Sequence, residues 1–304
     1  MTHSFAAFAA RRAAAAVVLV AVVSTGAFVL TRLAPGDVTT ELQAQGADAA
    51  TIAATRARLG LDRPFAAQLG GWMTGILHLD LGRSLRYDAP VAPLAGERAA
   101  NTAELAAVAL VIALAGVPIG VLTGARPRGW LARVVTPVSV ALVSCPPIIG
   151  ALGLLCLAMA TGWLSTSPGS LAVPAFALAL PLGATIERLQ SHATADALRA
   201  PDIVAAAARG LSESRILWRH VLRQSLRPLL GIAGVLIGGL FSGSLPVEVV
   251  SGWPGLGRLT YDALMARDMF LAAGCAFIGA TVLAVSNLGA DLLRALVDPR
   301  ARLA

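Results

Sequence analysis

The chain has 304 residues, of which 57% are hydrophobic and 13% charged, against roughly 25% charge in an average soluble domain. That balance excludes a water-soluble globule and places the chain in a membrane. All 24 basic residues are arginine, in a chain of net charge +7, so a P-loop lysine, a Schiff-base lysine and a lysine nucleophile are excluded together.

A bilayer core takes about 20 mainly apolar residues per helix, and six stretches qualify. The first covers 13–33, behind Arg11 and Arg12. A signal peptide is the alternative, but the run exceeds the roughly 7–15 apolar residues of such a segment, which points to an uncleaved helix. Residues 34–100 follow as an external region with a turn at "APGD" (34–37), helices over 48–59 and 64–78, and a polar turn at "YDAP" (87–90). Phe65, Trp72 and Leu77 would fold this region back onto the membrane surface. A functionless flexible hairpin is the alternative, against which its hydrophobicity argues.

The second span, 103–122, opens on Asn101 as N-cap with Glu104 three residues on, in the manner of a capping box. The third, 134–160, holds Pro137 and the pair Pro146-Pro147 and is expected to kink or unwind. The fourth, 171–186, is short and carries Pro174 and Pro181. The fifth, 229–250, contains Gly234-xxx-Gly238 and Gly239-xxx-Gly243, spacings that allow close helix approach. The sixth, 270–296, turns polar at Asn287, Asp291 and Arg294, the last two forming a good helical pair. The expected organisation is an N-terminal region and first helix over 1–33, an extracytoplasmic region over 34–100, and a five-helix core over 101–304 that includes a loop at 187–228.

Arginine placement gives the orientation. Residues 125–133 hold three arginines and no acid, 187–228 hold seven arginines against four acids, and 161–170 hold no charge. The two basic loops are therefore expected in the cytoplasm, and with six spans both termini lie there too, with Arg11, Arg12, Arg300 and Arg302.

Span centres are almost free of ionisable groups, which counts against a proton-driven carrier. Glu187, Glu248 and Asp291 sit near span ends, within reach of water or an arginine. The histidines are scattered, and Cys145, Cys156 and Cys275 fall in apolar runs as core residues without ligand spacing. "GWPGLG" (252–257) reads as a tight turn opening a short helix, with Pro254 at an early helical position. Catalytic residues, cofactors, metals and nucleic acid are not expected on this chain.

The loop is more organised than topology requires. "PDIVAAAARG" (201–210) begins with a proline suited to a helix start and ends with Gly210 at the usual C′ position. A second helix follows in which Arg215, Arg219, Arg223 and Arg227 recur every four residues as one stripe, with Ile216, Leu217, Val221 and Leu222 on an apolar side. Such a stripe needs acceptors, either anionic lipid heads or an acidic protein.

In "VAAAARG" (204–210) the alanines and Gly210 resemble the cytoplasmic signature of bacterial ABC importer permeases, EAA followed by three residues and glycine, with Val204 in the glutamate position. "RLAPGD" (32–37), "LGLDRP" (59–64), "LDLGRSLR" (79–86), "GWPGLGRL" (252–259) and "DLLRALVDPRARL" (291–303) resemble the dipeptide, oligopeptide and nickel branch of that family, in its order. The resemblance implies an all-α integral membrane protein of type I importer architecture, with six transmembrane helices and a cytoplasmic coupling-helix loop. It implies that Ala205, Ala206, Arg209, Gly210, Leu211, Ser212 and Glu213 contact an ATP-binding subunit. The implied partners are a second homologous permease subunit, two ATP-binding subunits or domains that hold ATP and Mg, and an extracytoplasmic substrate-binding protein. Arg215, Arg219, Arg223 and Arg227 would touch membrane lipid or a partner. A self-sufficient secondary carrier and a membrane scaffold are the alternative functions.

Overall fold

Among the described residues five helices are long and apolar enough to cross a membrane, and a bent pair brings the number to six if counted as one span. The computed structural model describes residues 5–33, 43, 46–59, 62–84, 86–165, 167 and 169–297. The turn expected at 34–37, Arg300, Arg302, the Arg294 side chain and parts of four of the motifs quoted above lie outside the described residues. By its internal contacts the chain divides into two compact units, Met1–Thr102 with Pro254–Leu288, and Ala103–Trp253 with Gly289–Ala304.

The first unit opens with α1 (Phe5–Leu33), followed by α2 (Ala49–Leu59) and α3 (Phe65–Leu77). Asp48 caps α2 by accepting the Thr51 amide at 3.1 Å, and its hydrogen bonds to Thr51 hold its carboxyl below the usual range. Trp72 of α3 is buried and stacks on Phe28 of α1 at 5.5 Å between ring centres. The turn expected near 87–90 is present at 86–88, within a small antiparallel hairpin of β1 (Arg83–Ser84) and β2 (Ala89–Pro90), with Arg83 opposite Pro90.

Directly after β2, α4 (Val91–Ala113) begins, twelve residues before the expected span. Asn101 is therefore inside a helix and is no N-cap; its side-chain amide donates to the Pro254 carbonyl at 2.8 Å, beside Arg98 at 3.2 Å. Helix α4 and the adjoining α5 (Gly116–Ala125) form a 35-residue apolar run. At 1.5 Å per residue this is about 50 Å, against a hydrocarbon core of about 30 Å, so part of it lies beyond the core.

Pro254 is also not helical. Gly255 is the N-cap of α12 (Leu256–Met265), and the amide of Leu256 donates to the Thr102 hydroxyl at 2.8 Å. Helix α12 ends with Arg267 at φ +52°, where the Arg267 and Asp268 amides return to the Leu264 and Ala263 carbonyls at 3.2 and 2.9 Å. Asp268 then accepts the Ser84 hydroxyl at 2.7 Å, the Arg86 amide at 3.2 Å and the Leu271 amide at 3.1 Å, tying the hairpin to the start of α13 (Met269–Val297).

In the second unit the third expected span is broken. α6 (Trp130–Ser144) and α7 (Pro147–Thr161) meet at 113°. Cys145 and Pro146 each precede a proline and are driven into extended backbone, with ψ 122° and 139°, so the chain turns at two successive residues.

The fourth span, expected to be short and interrupted by Pro174 and Pro181, is the longest helix in this unit: α8 (Ala172–Ala197), packed against α5, α6 and α7. It also packs against α10, a continuous helix formed by Glu213–Arg215, a π-helical turn at Ile216–Val221 and Leu222–Gly231, and against α11 (Ala233–Ser251). The cysteines differ from expectation: Cys275 is buried, Cys145 half-buried and Cys156 exposed.

Candidate functional site

The segment between α8 and α10 is built from α9 (Pro201–Ala208), with Pro201 as first helical residue after extended Ala200. Gly210 closes it at φ +81°: its amide donates to Ala207 at 2.9 Å and that of Leu211 to Ala206 at 3.4 Å, the two bonds of a Schellman ending. Only a residue tolerant of the left-handed region fits there, and a side chain on Gly210 would meet no atom within 4 Å. Ile203 packs inward with Val121, Ile216, Leu217 and Val221, and Ala206 is buried as well. Val204, Ala205, Ala207, Ala208, Arg209 and Gly210 are exposed, an outer side made mostly of small residues with Val204 and Arg209 standing above them.

The residues expected to couple therefore divide: Ala206 is buried, Leu211 half-buried, and Ala205, Arg209, Gly210, Ser212 and Glu213 are accessible. Glu213 is already engaged, accepting from Arg126 at 3.2 Å on both oxygens. Both side chains are largely exposed, so this pair contributes at most about 1 kcal/mol, but it fastens the segment to the short 126–129 connection. Gln224 of α10 donates to Asp202 of α9 at 2.5 Å.

Arg215, Arg219, Arg223 and Arg227 are all exposed, and among the described residues none makes an ion pair. In an α-helix a spacing of four overshoots a full turn by about 40°. The wider π turn at Ile216–Val221 offsets this drift, while Ile216, Leu217 and Val221 remain inward as expected.

What anchors this module was not anticipated. Gly116, Gly120 and Gly124 of α5 lie against α8, where an added Cβ would meet backbone of Gly183, Glu187 and Ser191. The pattern Gly-xxx-Gly-xxx-Gly was readable in the sequence as the close-approach signal assigned to 234–243. Gly239 has nothing within 4 Å, and Gly243 makes only an ordinary contact with Leu178 at 3.7 Å.

At the same seam the Thr123 hydroxyl donates to Glu187 at 2.7 Å and the Gln190 amide to Ser225 at 2.6 Å. Glu187 and Glu248 are 3% and 0% exposed, which removes water from the expected pair of partners, water or an arginine. Buried polar bonds of this kind are strongly directional. They join α5, α8 and α10, and with the Asp202–Gln224 and Arg126–Glu213 contacts they brace α9 from several sides.

Among known proteins, residues 5–112 match the N-terminal model for binding-protein-dependent transport system membrane components, and residues 116–303 match the model for the binding-protein-dependent transport system inner membrane component. A protein of Brucella abortus named as a peptide transport system permease is 31% identical over 96% of this chain and 98% of its own length. The oligopeptide transport system permease protein AppB of Bacillus subtilis is 31% identical over 97% of this chain and 99% of its own. The nickel import system permease protein NikB of Staphylococcus aureus is 30% identical over 94% of this chain and 89% of its own. The chain thus belongs to the binding-protein-dependent transport system inner membrane components, and it is a permease subunit of an ABC importer.

Proposed function

We propose that the face formed by Ala205, Ala207, Ala208, Arg209 and Gly210, with Leu211, Ser212 and Glu213 at its edge, seats in a groove of an ATP-binding subunit. The observation that carries this reading is a small-residue helix, exposed on one side and braced on the other to α5, α8 and α10. A flat alanine face admits close approach of a partner backbone, and the bracing passes displacement of α9 to a membrane-crossing helix. In this reading the chain supplies half of a passage. A second homologous permease supplies the other half, two ATP-binding subunits or domains hold ATP and Mg, and an extracytoplasmic binding protein delivers the solute.

The loops at 125–133 and 187–228, with both termini, then face the cytoplasm, as their arginines require. The solute is a peptide or a related small solute such as a nickel chelate, a range supported by the names of the Bacillus and Staphylococcus relatives.

Gly210→Val tests this. The substitution meets no neighbour but forces a β-branched residue to φ +81°, a strain of about 1–2 kcal/mol borne by the coupling turn. Transport-linked ATP hydrolysis and solute uptake in reconstituted vesicles should both fall by about 5- to 30-fold, with membrane insertion retained. Unchanged values for both would refute the coupling role, and uptake by the chain alone without ATP would favour a secondary carrier.

A further inference from the structure

Two of the four exposed arginines of α10 stand where the second unit enters the hydrocarbon. Helix α8 begins at Ala172, and about 20 residues, the length of a 30 Å hydrocarbon core at about 1.5 Å per residue, bring it to His192. Helices α10 and α11 return along it: Gln190 donates to Ser225 at 2.6 Å, and a Cβ on Gly243 would lie 3.7 Å from Leu178. His192, just past Gln190, is therefore level with Arg223. Counted back from Ser251, the end of α11, the same span of about 20 residues reaches Gly231. The edge of the hydrocarbon thus falls between Arg223 and Gly231, with Arg227 midway.

At this level the exposed face of α10 changes character. Arg223, Arg227 and Leu230 follow one another at helical spacings of four and three, so they are neighbours on one face. Both arginines are exposed, and neither makes an ion pair among the described residues. Leu230 is 45% exposed. A face that passes from guanidinium to leucine across the hydrocarbon edge matches a lipid along its length, phosphate first and acyl chain next. Arg215 lies about 10 Å or more beyond that edge, outside a headgroup layer about 5–8 Å thick.

We propose that Arg223 and Arg227 hold the phosphate of an anionic phospholipid whose acyl chain lies over Leu230. Each guanidinium offers paired N–H donors to phosphate oxygens. With neither arginine neutralised by an ion pair, the site favours a headgroup of net negative charge over a zwitterionic one, whose own cation is repelled. The contact is independent of what α9 touches and of which side of the membrane this end of α10 faces.

Photoaffinity labelling of the intact complex in phosphatidylcholine vesicles tests this. Trace phosphatidylglycerol or phosphatidylcholine carries a diazirine high in the acyl chain, and labelling of residues 222–231 is read by peptide mass spectrometry. Wild type should be labelled about tenfold more by the phosphatidylglycerol probe. R223Q/R227Q should lower that labelling by about 30-fold, about fivefold per arginine, and leave the two probes equal. R215Q should change it by less than about twofold. If the double variant fails to assemble, R223Q and R227Q singly, each about fivefold, decide. Equal labelling of the wild type by the two probes, unchanged labelling in the arginine variants, or an equal fall in R215Q overturns the proposal. So does a disulfide from Leu230→Cys to the second permease subunit, which would show protein on this face.

Discussion

Gly120→Val is expected to separate α5 from α8 and to lower the stability of the second unit by about 3 kcal/mol or more. A Cβ at this position would lie 2.6 Å from the Glu187 carbonyl oxygen and 2.7 Å from the Gln190 Cβ. The obstacle is largely backbone, which cannot rotate aside as a flexible side chain can. The displaced helices would also break the Thr123–Glu187 bond and shift Gln190 from Ser225. Thermal unfolding of the purified chain in detergent should show the loss, together with increased protease access to 187–228. Gly239→Ala is the control: it adds a methyl where nothing lies within 4 Å and should leave stability unchanged or raise it slightly. Equal melting of Gly120→Val and wild type would mean that the close packing of α5 on α8 does not carry the unit.

The second large effect is expected at Asp268, fully buried in the first unit. Asp268→Ala removes the acceptor for the Ser84 hydroxyl and for the Arg86 and Leu271 amides at once. Each buried donor left without a partner costs about 1–3 kcal/mol, so a total near 3 kcal/mol or above is expected. Asp268→Asn keeps one acceptor oxygen and should fall between the alanine variant and wild type. The alanine variant should also release the hairpin, read as new cleavage within 83–90 under limited proteolysis. An alanine variant as stable and as resistant as wild type would contradict this role.

Much of the fold is legible because a bilayer makes a simple demand on a chain. Apolar length located the spans, Pro201 and Gly210 bounded α9, and Ile216, Leu217 and Val221 marked the inward side of α10. The fourth span was misjudged because its hydropathy ends at Ile186, whereas the helix runs on to Ala197. The polar residues that end the apolar signal, Glu187, Gln190 and Thr194, are buried all the same, against the glycine face of α5 and against α10. Hydropathy counts polarity residue by residue and cannot see a partner that satisfies it.

Asn101 failed as a cap for a related reason. Its local pattern suits a helix start, but a carbonyl at Pro254, 153 residues away, uses its side chain within a longer helix. The bracing of α9 depends on pairs such as Gln190–Ser225, 35 residues apart, which no short motif encodes.

Helix α9 is proposed to present its alanine face to an ATP-binding partner. The direct measurement is site-directed disulfide cross-linking in the assembled complex, with Cys145, Cys156 and Cys275 replaced and single cysteines introduced at Ala205, Ala208 or Ser165. Cross-links to the ATP-binding subunit are expected from Ala205→Cys and Ala208→Cys, changing in yield with ATP, and none from Ser165→Cys in the 161–170 connection. A complex that hydrolyses ATP yet cross-links from neither Ala205→Cys nor Ala208→Cys would contradict it.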